Sequence, residues 1–350
     1  MEQNKFKDIC VSICIPIYGV EDYIERCARS VFEQTYNNIE YVFVNDCTKD
    51  DSMNILSSVL DDYPHRKESV KIISHEKNRG LAAARNTALE HVSGDFVFWV
   101  DSDDFIRHDA ISLCVKKQQE DNSDIVILDV LKLHDGYKEH VRQTNSQNPE
   151  VLVRKVLLDE VEHWIWGKLI RTSLYIDNHI RVKEGCNMGE DLQIYPQLLY
   201  HAKRISYVPI PAYVYDMQNQ TSYGHTIKES IQWQRWGSYD ELCKQLPKEK
   251  FPKELEYQKL QMVYFQLKTF YLFPDTLSQK YYNFLISKLG DISRSTIESY
   301  VFYKRFLITW CLHVGKISNK KELPIFRAKI YVVFINLMNS LVSKIKALKK

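Results

Sequence analysis

Short apolar runs and longer amphipathic stretches alternate along the first third of the chain. Residues 10–17 (C-V-S-I-C-I-P-I) form an apolar run closed by Tyr18 and Gly19, which predicts a strand. Residues 21–34 place Tyr23/Ile24, Cys27/Ala28 and Val31/Phe32 at helical spacing. A second strand over 39–44 ends in Asn45-Asp46-Cys47-Thr48-Lys49-Asp50-Asp51-Ser52, which is turn chemistry that also caps a helix over 53–60. A third strand over 70–74 leads through the turn Asn78-Arg79-Gly80 into an Ala-rich helix over 81–91. A fourth run, 96–100, is short, β-branched and aromatic, as a strand buried on both faces would be. A helix around 110–119 and a strand over 124–130 complete the series.

Strand and helix thus alternate five times, the pattern of a doubly wound parallel sheet. Residues 131–160 are polar and weakly patterned, as a hairpin or insertion. Residues 164–174 are apolar and aromatic, 185–191 form a loop, and 192–200 form a helix kinked or begun near Pro196. Residues 205–214 read as a strand with turn prolines at 209 and 211. Beyond 227 the pattern is helical to the end, with a boundary near 225.

The fourth run ends in Asp101, Asp103 and Asp104. Ligands of open α/β sheets bind beyond the carboxyl ends of the strands. Crowded carboxylates repel unless a cation lies between them, and Mg²⁺ or Mn²⁺ suits all-oxygen ligands. A solvated acidic turn capping the next helix is the alternative on these residues alone. Tyr18, Asp46, the Asn78/Arg79 turn and Asp101/Asp103 all follow strands of shared direction, so they are expected to converge on one crevice. That convergence favours the metal.

V-S-I-C-I-P-I-Y, V-N-D-C-T-K-D-D-S, N-R-G-L-A-A-A-R-N, the strand ending D-S-D-D, W-G-K and G-E-D occur in that order over residues 10–220. In this the chain resembles family 2 glycosyltransferases of the GT-A fold. The resemblance implies an α/β fold with a Rossmann-like, mostly parallel sheet flanked by helices and a helical C-terminal extension. The catalytic domain would span 8–225, with a nucleotide-binding half (8–104) and an acceptor half (105–225), followed by a helical region (226–350). It further implies a nucleoside-diphosphate sugar donor, with UDP as the nucleotide, a divalent cation (Mn²⁺ or Mg²⁺), and inversion at the anomeric carbon. Donor binding would fall to Pro16, Tyr18, Glu21, Asp46, Asn78, Arg85, Asp101 and Ser102. Tyr18 would flank the base and Asp46 would accept the uracil ring N–H. Asp103 would hold the metal and Asp191 would be the catalytic base. Glu190, Trp166 and Lys168 would support the acceptor side. Two positions depart from the family pattern: Gly19 replaces the usual Asn, and Cys47 the usual Gly.

Composition narrows the rest. The chain is 45% hydrophobic and 26% charged, which suits a folded core. Its net charge of +2 is uneven: 11 Lys and Arg against Glu322 from residue 303 onward leave the preceding body at about −8. That excludes a body-wide nucleic-acid surface. Eight cysteines without a C-x-x-C pair argue for reduced, buried thiols in the cytoplasm rather than zinc. The N-terminus does not read as a signal peptide, and no apolar run reaches membrane-spanning length. The stretch 324–350 repeats apolar residues at three- and four-residue steps among basic ones. This predicts a helix lying on the anionic inner face of the membrane, beside a glycan or lipid-linked acceptor, or else packed on a protein surface. Gln232-Trp233-Gln234-Arg235-Trp236 matches a string found in processive synthases, but aromatic and Arg residues at helical spacing also pack readily. A single-sugar transfer is therefore expected. The competing classes are a sugar-phosphate nucleotidyltransferase, whose Gly-rich basic loop is replaced here by Ile15-Pro16-Ile17-Tyr18-Gly19, and a non-catalytic nucleotide- or glycan-binding subunit, which would be expected to lose Asp103 or Asp191.

Overall fold

The computed structural model describes residues 8–144, 146–219, 228–273 and 276–299. They fall into two compact units. The first comprises the described residues before 220 together with Gln234–Pro247, and the second comprises residues 228–233 and those from Lys248 onward.

The first unit opens with β1 (Val11–Ile17), α1 (Ile24–Phe32), β2 (Ile39–Asn45), α2 (Ser52–Asp61), a 3₁₀ turn (Pro64–Ser69), β3 (Val70–Ser74), α3 (Leu81–His91) and β4 (Phe96–Trp99). It continues with β5 (Phe105–Ile106), α4 (Ala110–Asp121), β6 (Ile125–His134), β7 (Tyr137–Val141), α5 (Pro149–Leu157), β8 (Lys168–Arg171), α6 (Thr172–Asp177), α7 (Glu190–His201) and β9 (Ile205–Asp216). Then come α8 (Glu229–Gln245), which contributes to both units, and α9 (Pro252–Leu272), α10 (Gln279–Gly290) and α11 (Arg294–Ser299) of the second. No strand follows β9 among the described residues, and no described helix is long and apolar enough to cross a membrane.

The strands form one sheet in the order β3-β2-β1-β4-β8-β6-β9-β5, with β7 hairpinned onto β6. β3, β2, β1 and β4 are mutually parallel, with Cys14 opposite both Val42 and Trp99. Every residue of β1 and β4 is buried, as their continuous apolar runs require, whereas the edge strand β3 is half exposed. Beyond β4 the sheet becomes mixed. The fifth predicted strand, β6, does not lie beside β4. β8 stands between them, antiparallel to both, so two reversals return β6 to the direction of β4. β8 comes from the aromatic stretch near 170, whose four-residue length hid its register. Residues 131–160 supply the rest of β6, the hairpin strand β7 and α5. Pro209 and Pro211 are not turns. β9 runs through them parallel to β6, and the register slips beside Asp129, as an amide-less residue demands. Pro196 likewise lies inside α7, which begins at Glu190.

A buried carboxylate ties the parallel strands together at their amino ends. Glu40 on β2 accepts hydrogen bonds from Ser12 Oγ on β1, from Ser93 Oγ (2.6 Å) and Gly94 N–H (3.0 Å) ahead of β4, and from Lys71 Nζ on β3 (2.9 Å). Gly94 must be glycine here, because a Cβ would lie 2.6 Å from Ser12 Oγ. Burial alone would raise the Glu40 pKa, but the bonds from Ser12, Ser93 and Lys71 outweigh it and bring the group down to about 2. A depressed folded-state pKa means the unfolded chain binds the proton more readily. The stabilisation is therefore complete above the ordinary Glu pKa of about 4.5 and disappears as pH falls towards 2. Glu40→Gln is expected to cost about 2–3 kcal/mol at pH 7 and much less at pH 3, measured by denaturant unfolding at both. Equal losses at the two pH values would contradict the assignment.

Candidate active site

The carboxyl ends of β1, β2 and β4 open into a crevice of about 380 Å³, a size suited to a nucleotide-sized ligand. β1 delivers Pro16 and the following Tyr18, and β2 delivers Asp46. The turn into α3 supplies Asn78 and Gly80, and β4 supplies Asp101, Ser102 and Asp103. Seven residues marked in the sequence therefore meet along one wall. The crevice is completed by Asn187, from the loop before α7, and Asn219, just after β9. Neither was singled out from the sequence. Asn187 lies three residues before Glu190, and that proximity was the one available signal.

Tyr18 is 53% exposed, a free aromatic face at the rim. Asp46 is 3% exposed and held from three sides. Its Oδ1 accepts the Arg79 N–H (2.8 Å) and pairs with His75 Nδ1 (2.7 Å), and its Oδ2 accepts the Gly80 N–H (2.7 Å). A carboxylate has about four acceptor positions, so one remains on Oδ2. Gly80 has φ +88°, and a Cβ there would lie 2.2 Å from the Asn187 amide, so only glycine fits. Asn187 in turn accepts the Ala82 N–H (3.0 Å) and donates its own N–H to Gln234 Oε1 (3.0 Å). Within the 232–236 string, then, Gln234 braces the crevice wall and Trp236 is buried, while Trp233 belongs to the second unit and packs there on Tyr281 and Phe284. Cys47 sits at φ +57°, where the family pattern has glycine, so this side chain is held in the left-handed region.

The three acids after β4 divide their work. Asp104 is fully buried and spent, accepting from Tyr213 OH (2.7 Å) and the Asp216 N–H (2.9 Å). Asp103 accepts from Asn219 Nδ2 (2.9 Å) and faces the crevice, and its backbone carbonyl accepts from Arg26 (3.1 Å). Burial and the neighbouring charge of Asp101 raise the Asp103 pKa. Among the described residues no three carboxylate, His or Cys side chains could enclose a metal by themselves. Two hard carboxylates whose charges repel suit a divalent cation that takes its remaining ligands from water or phosphate.

Behind this wall Arg85 of α3 joins residues distant in sequence. It is 1% exposed and lies over the Trp99 ring (5.2 Å). Its Nη2 is 3.1 Å from Asp101 Oδ1, 3.5 Å from Glu190 Oε1 and 3.7 Å from Asp191 Oδ1. The Asp101 and Asp191 carboxylates are therefore within about 7 Å of each other. Asp191 stands in the first turn of α7, and the Ile165 N–H bonds its carboxylate. Burial is the main force raising Asp191, to about 6. Arg85 opposes it, and Asp101 adds to it. Burial and then Asp191 push Glu190 up to about 8.

Glu21, Arg85, Trp166, Lys168, Glu190 and Asp191 do not line the crevice, and Arg85, Glu190 and Asp191 lie behind it in the cluster that reaches Asp101. Glu21 accepts the Asp51 N–H (2.9 Å) and locks the turn before α2. Trp166 is sandwiched between Trp164 and Tyr213, at 4.4 Å from each. Lys168 points inward, with Nζ donating to Gln143 Oε1 (3.0 Å) and the Trp166 carbonyl (3.3 Å), and burial lowers its pKa to about 7. The expected membrane helix at 324–350 lies outside the described residues.

Residues 12–190 match the family described as Glycosyl transferase family 2. The glycosyltransferase EpsJ of Bacillus subtilis is 27% identical over 213 residues, 59% of this chain and 60% of its own. The glycosyltransferase GlyA of Streptococcus pneumoniae is 30% identical over 217 residues, 59% of this chain and 30% of its own. The chain thus spans 30–60% of the length of these relatives. Among solved structures, S. aureus TarS 1–349 in complex with UDP-GlcNAc is similar with a TM-score of 0.63 at 20% identity, over 87% of each chain. The mannosyltransferase PcManGT of Pyrobaculum calidifontis, in complex with GDP-Man and Mn²⁺, is similar with a TM-score of 0.53 at 15% identity, over 89% of this chain and 88% of that one. At such identities the likeness is one of fold.

Arg85→Met leaves three acids facing one another in a buried site. It is expected to cost about 3–5 kcal/mol at pH 8. Without the cation Glu190 and Asp191 rise further and bind protons in the folded state, so the loss should shrink at pH 5.5. Denaturant unfolding at both pH values checks this, and a pH-independent loss would contradict the electrostatic role.

Proposed function

The chain belongs to glycosyl transferase family 2, with the GT-A fold, and from that premise we propose an inverting transfer of one sugar from a nucleoside-diphosphate donor, with UDP as the nucleotide. The acceptor is a hydroxyl of a glycan or lipid-linked intermediate in surface polysaccharide assembly. The observation that carries the reading is Arg85, which holds Asp191 within about 7 Å of Asp101, itself a lining residue of the crevice. The UDP-GlcNAc and GDP-Man complexes of the two structural neighbours support a nucleotide-sugar donor.

In this reading Tyr18 covers the nucleobase from the rim, and the free acceptor position of Asp46 takes the uracil ring N–H. Asn78 and Ser102 line the path to the diphosphate. Asp103, with Asp101 beside it, holds the divalent cation. When bound, that cation offsets the charge gathered by the departing diphosphate. Asp191 takes the proton of the acceptor hydroxyl as its oxygen bonds to the anomeric carbon. The bond from that carbon to the diphosphate oxygen breaks on the opposite face, and the electron pair leaves with the nucleoside diphosphate. Burial keeps the proton affinity of Asp191 above that of an exposed carboxylate, which suits a base. Burial and the charge of Asp191 favour the neutral form of Glu190, which lessens its repulsion of Asp191.

Asp191→Asn is expected to lower transfer by about 10²–10⁴-fold with UDP affinity within threefold of wild type, measured by donor turnover and calorimetry. Abolished UDP binding would contradict the assignment. The base acts ionised, so kcat/KM should fall about tenfold per pH unit below about 6 and level off above it. Chelation of divalent cations should suppress nucleoside diphosphate release from the donor, and Mn²⁺ should restore it. Release indifferent to chelation would sink the metal.

A further inference from the structure

His75 follows β3 and touches no crevice surface, yet all of its hydrogen-bonding capacity is directed at one crevice residue and the helix behind it. Its side chain is buried, at 5% exposure. Its backbone N–H donates to the Asn45 carbonyl (2.9 Å), which sets it beside the carboxyl end of β2. Its Nδ1 lies 2.7 Å from Asp46 Oδ1, and its Nε2 lies 2.9 Å from Thr87 Oγ1 on α3. A carboxylate that already accepts two backbone N–H bonds takes a third from Nδ1, and Nε2 pairs with the Thr87 hydroxyl, which can donate or accept. Thr87 is itself buried. The chain Thr87–His75–Asp46 therefore runs from the interior of α3 to the crevice floor with donor and acceptor matched at each step.

We propose that His75, oriented by Thr87, is a positioning residue that aims the free acceptor position of Asp46 at a nucleobase ring N–H. The two amides bound by Asp46 belong to adjacent residues, Arg79 and Gly80, so both grip it from the same turn. They bond different oxygens, Arg79 at Oδ1 and Gly80 at Oδ2, and alone they leave the carboxylate able to rock on that turn. The third, from the His75 side chain earlier in the same β3–α3 connection, adds a second bond at Oδ1 and fixes the plane. The plane decides whether the remaining Oδ2 acceptor position points into the crevice or into the wall. The sequence hid this role, because a lone His after a strand reads as an ordinary core residue.

The proposal rests on the reading of Asp46 as the base-recognising group, and the experiment separates the two. The probes are UDP and N3-methyl-UDP, which lacks the ring N–H, with binding measured by calorimetry. Wild type is expected to prefer UDP by tenfold or more, because a site built around a donor rejects an analogue lacking it. His75→Leu should collapse that preference to about threefold or less, and His75→Asn, which keeps an N–H near the Nδ1 position, should retain most of it. Should His75→Leu fail to fold, Thr87→Val, nearly isosteric, should still weaken the preference about threefold. A merely structural role would lower the melting temperature and leave the ratio of the two affinities alone. If wild type shows no preference, the reading of Asp46 fails. If the preference exists, depends on Asp46 in Asp46→Asn, and survives in both His75→Leu and Thr87→Val, the positioning role is overturned.

Discussion

One buried guanidinium holds together three acids from distant parts of the chain. Arg85 has almost no contact with water, and it faces Asp101, Glu190 and Asp191. Opposite charges about 4 Å apart attract by ~4 kcal/mol at an effective dielectric of 20, and like charges repel on the same scale. Three carboxylates brought together without a cation would drive each other apart or take up protons. With one cation among them the cluster still carries more negative than positive charge if every acid ionises. That surplus helps raise Glu190 and Asp191, and at its outer edge Asp101 also raises Asp103. The acids on the two sides of Arg85 come from β4 and α7, about ninety residues apart.

The topology explains how that junction forms. β3, β2, β1 and β4 all point the same way, so their polar ends share one edge. The second half of the sheet is attached through β8, which runs the other way, and the chain then reaches α7 by way of the loop that carries Asn187. Trp164, Trp166 and Tyr213 form an aromatic stack that is tied to the acids where Tyr213 bonds Asp104. Packing and charge thus support one another. The Trp99 ring lies against the buried Arg85, and low exposure to water strengthens the ion pairs that hold the acids in place.

The parallel half of the sheet was legible because its signals are local. Continuous apolar runs report a doubly buried strand, and the polar residue after each run reports the edge at which strands end, so Tyr18, Asp46 and Asp101 could be placed from the sequence. The second half was less legible because its signals are relational. The four residues of β8 carry no period long enough to fix a register. Pro209 and Pro211 read as turns, although a bulge beside Asp129 absorbs them. Lys168 resembles any polar site residue until the structure shows its amine turned inward to Gln143. Asn187, Asn219 and His75 are common residue types in loops, and only their partners in space set them apart.

The account stands on one arrangement, a donor held between Asp46 and Asp103 with Asp191 across from its anomeric carbon. A crystal structure with UDP and Mn²⁺ tests it most directly. The account predicts the uracil ring against Tyr18 with its N–H on Asp46, the cation between Asp103 and the diphosphate, and Asp191 on the side of the crevice away from the leaving phosphate. UDP bound elsewhere, or Asp191 on the same side as the diphosphate, would contradict it.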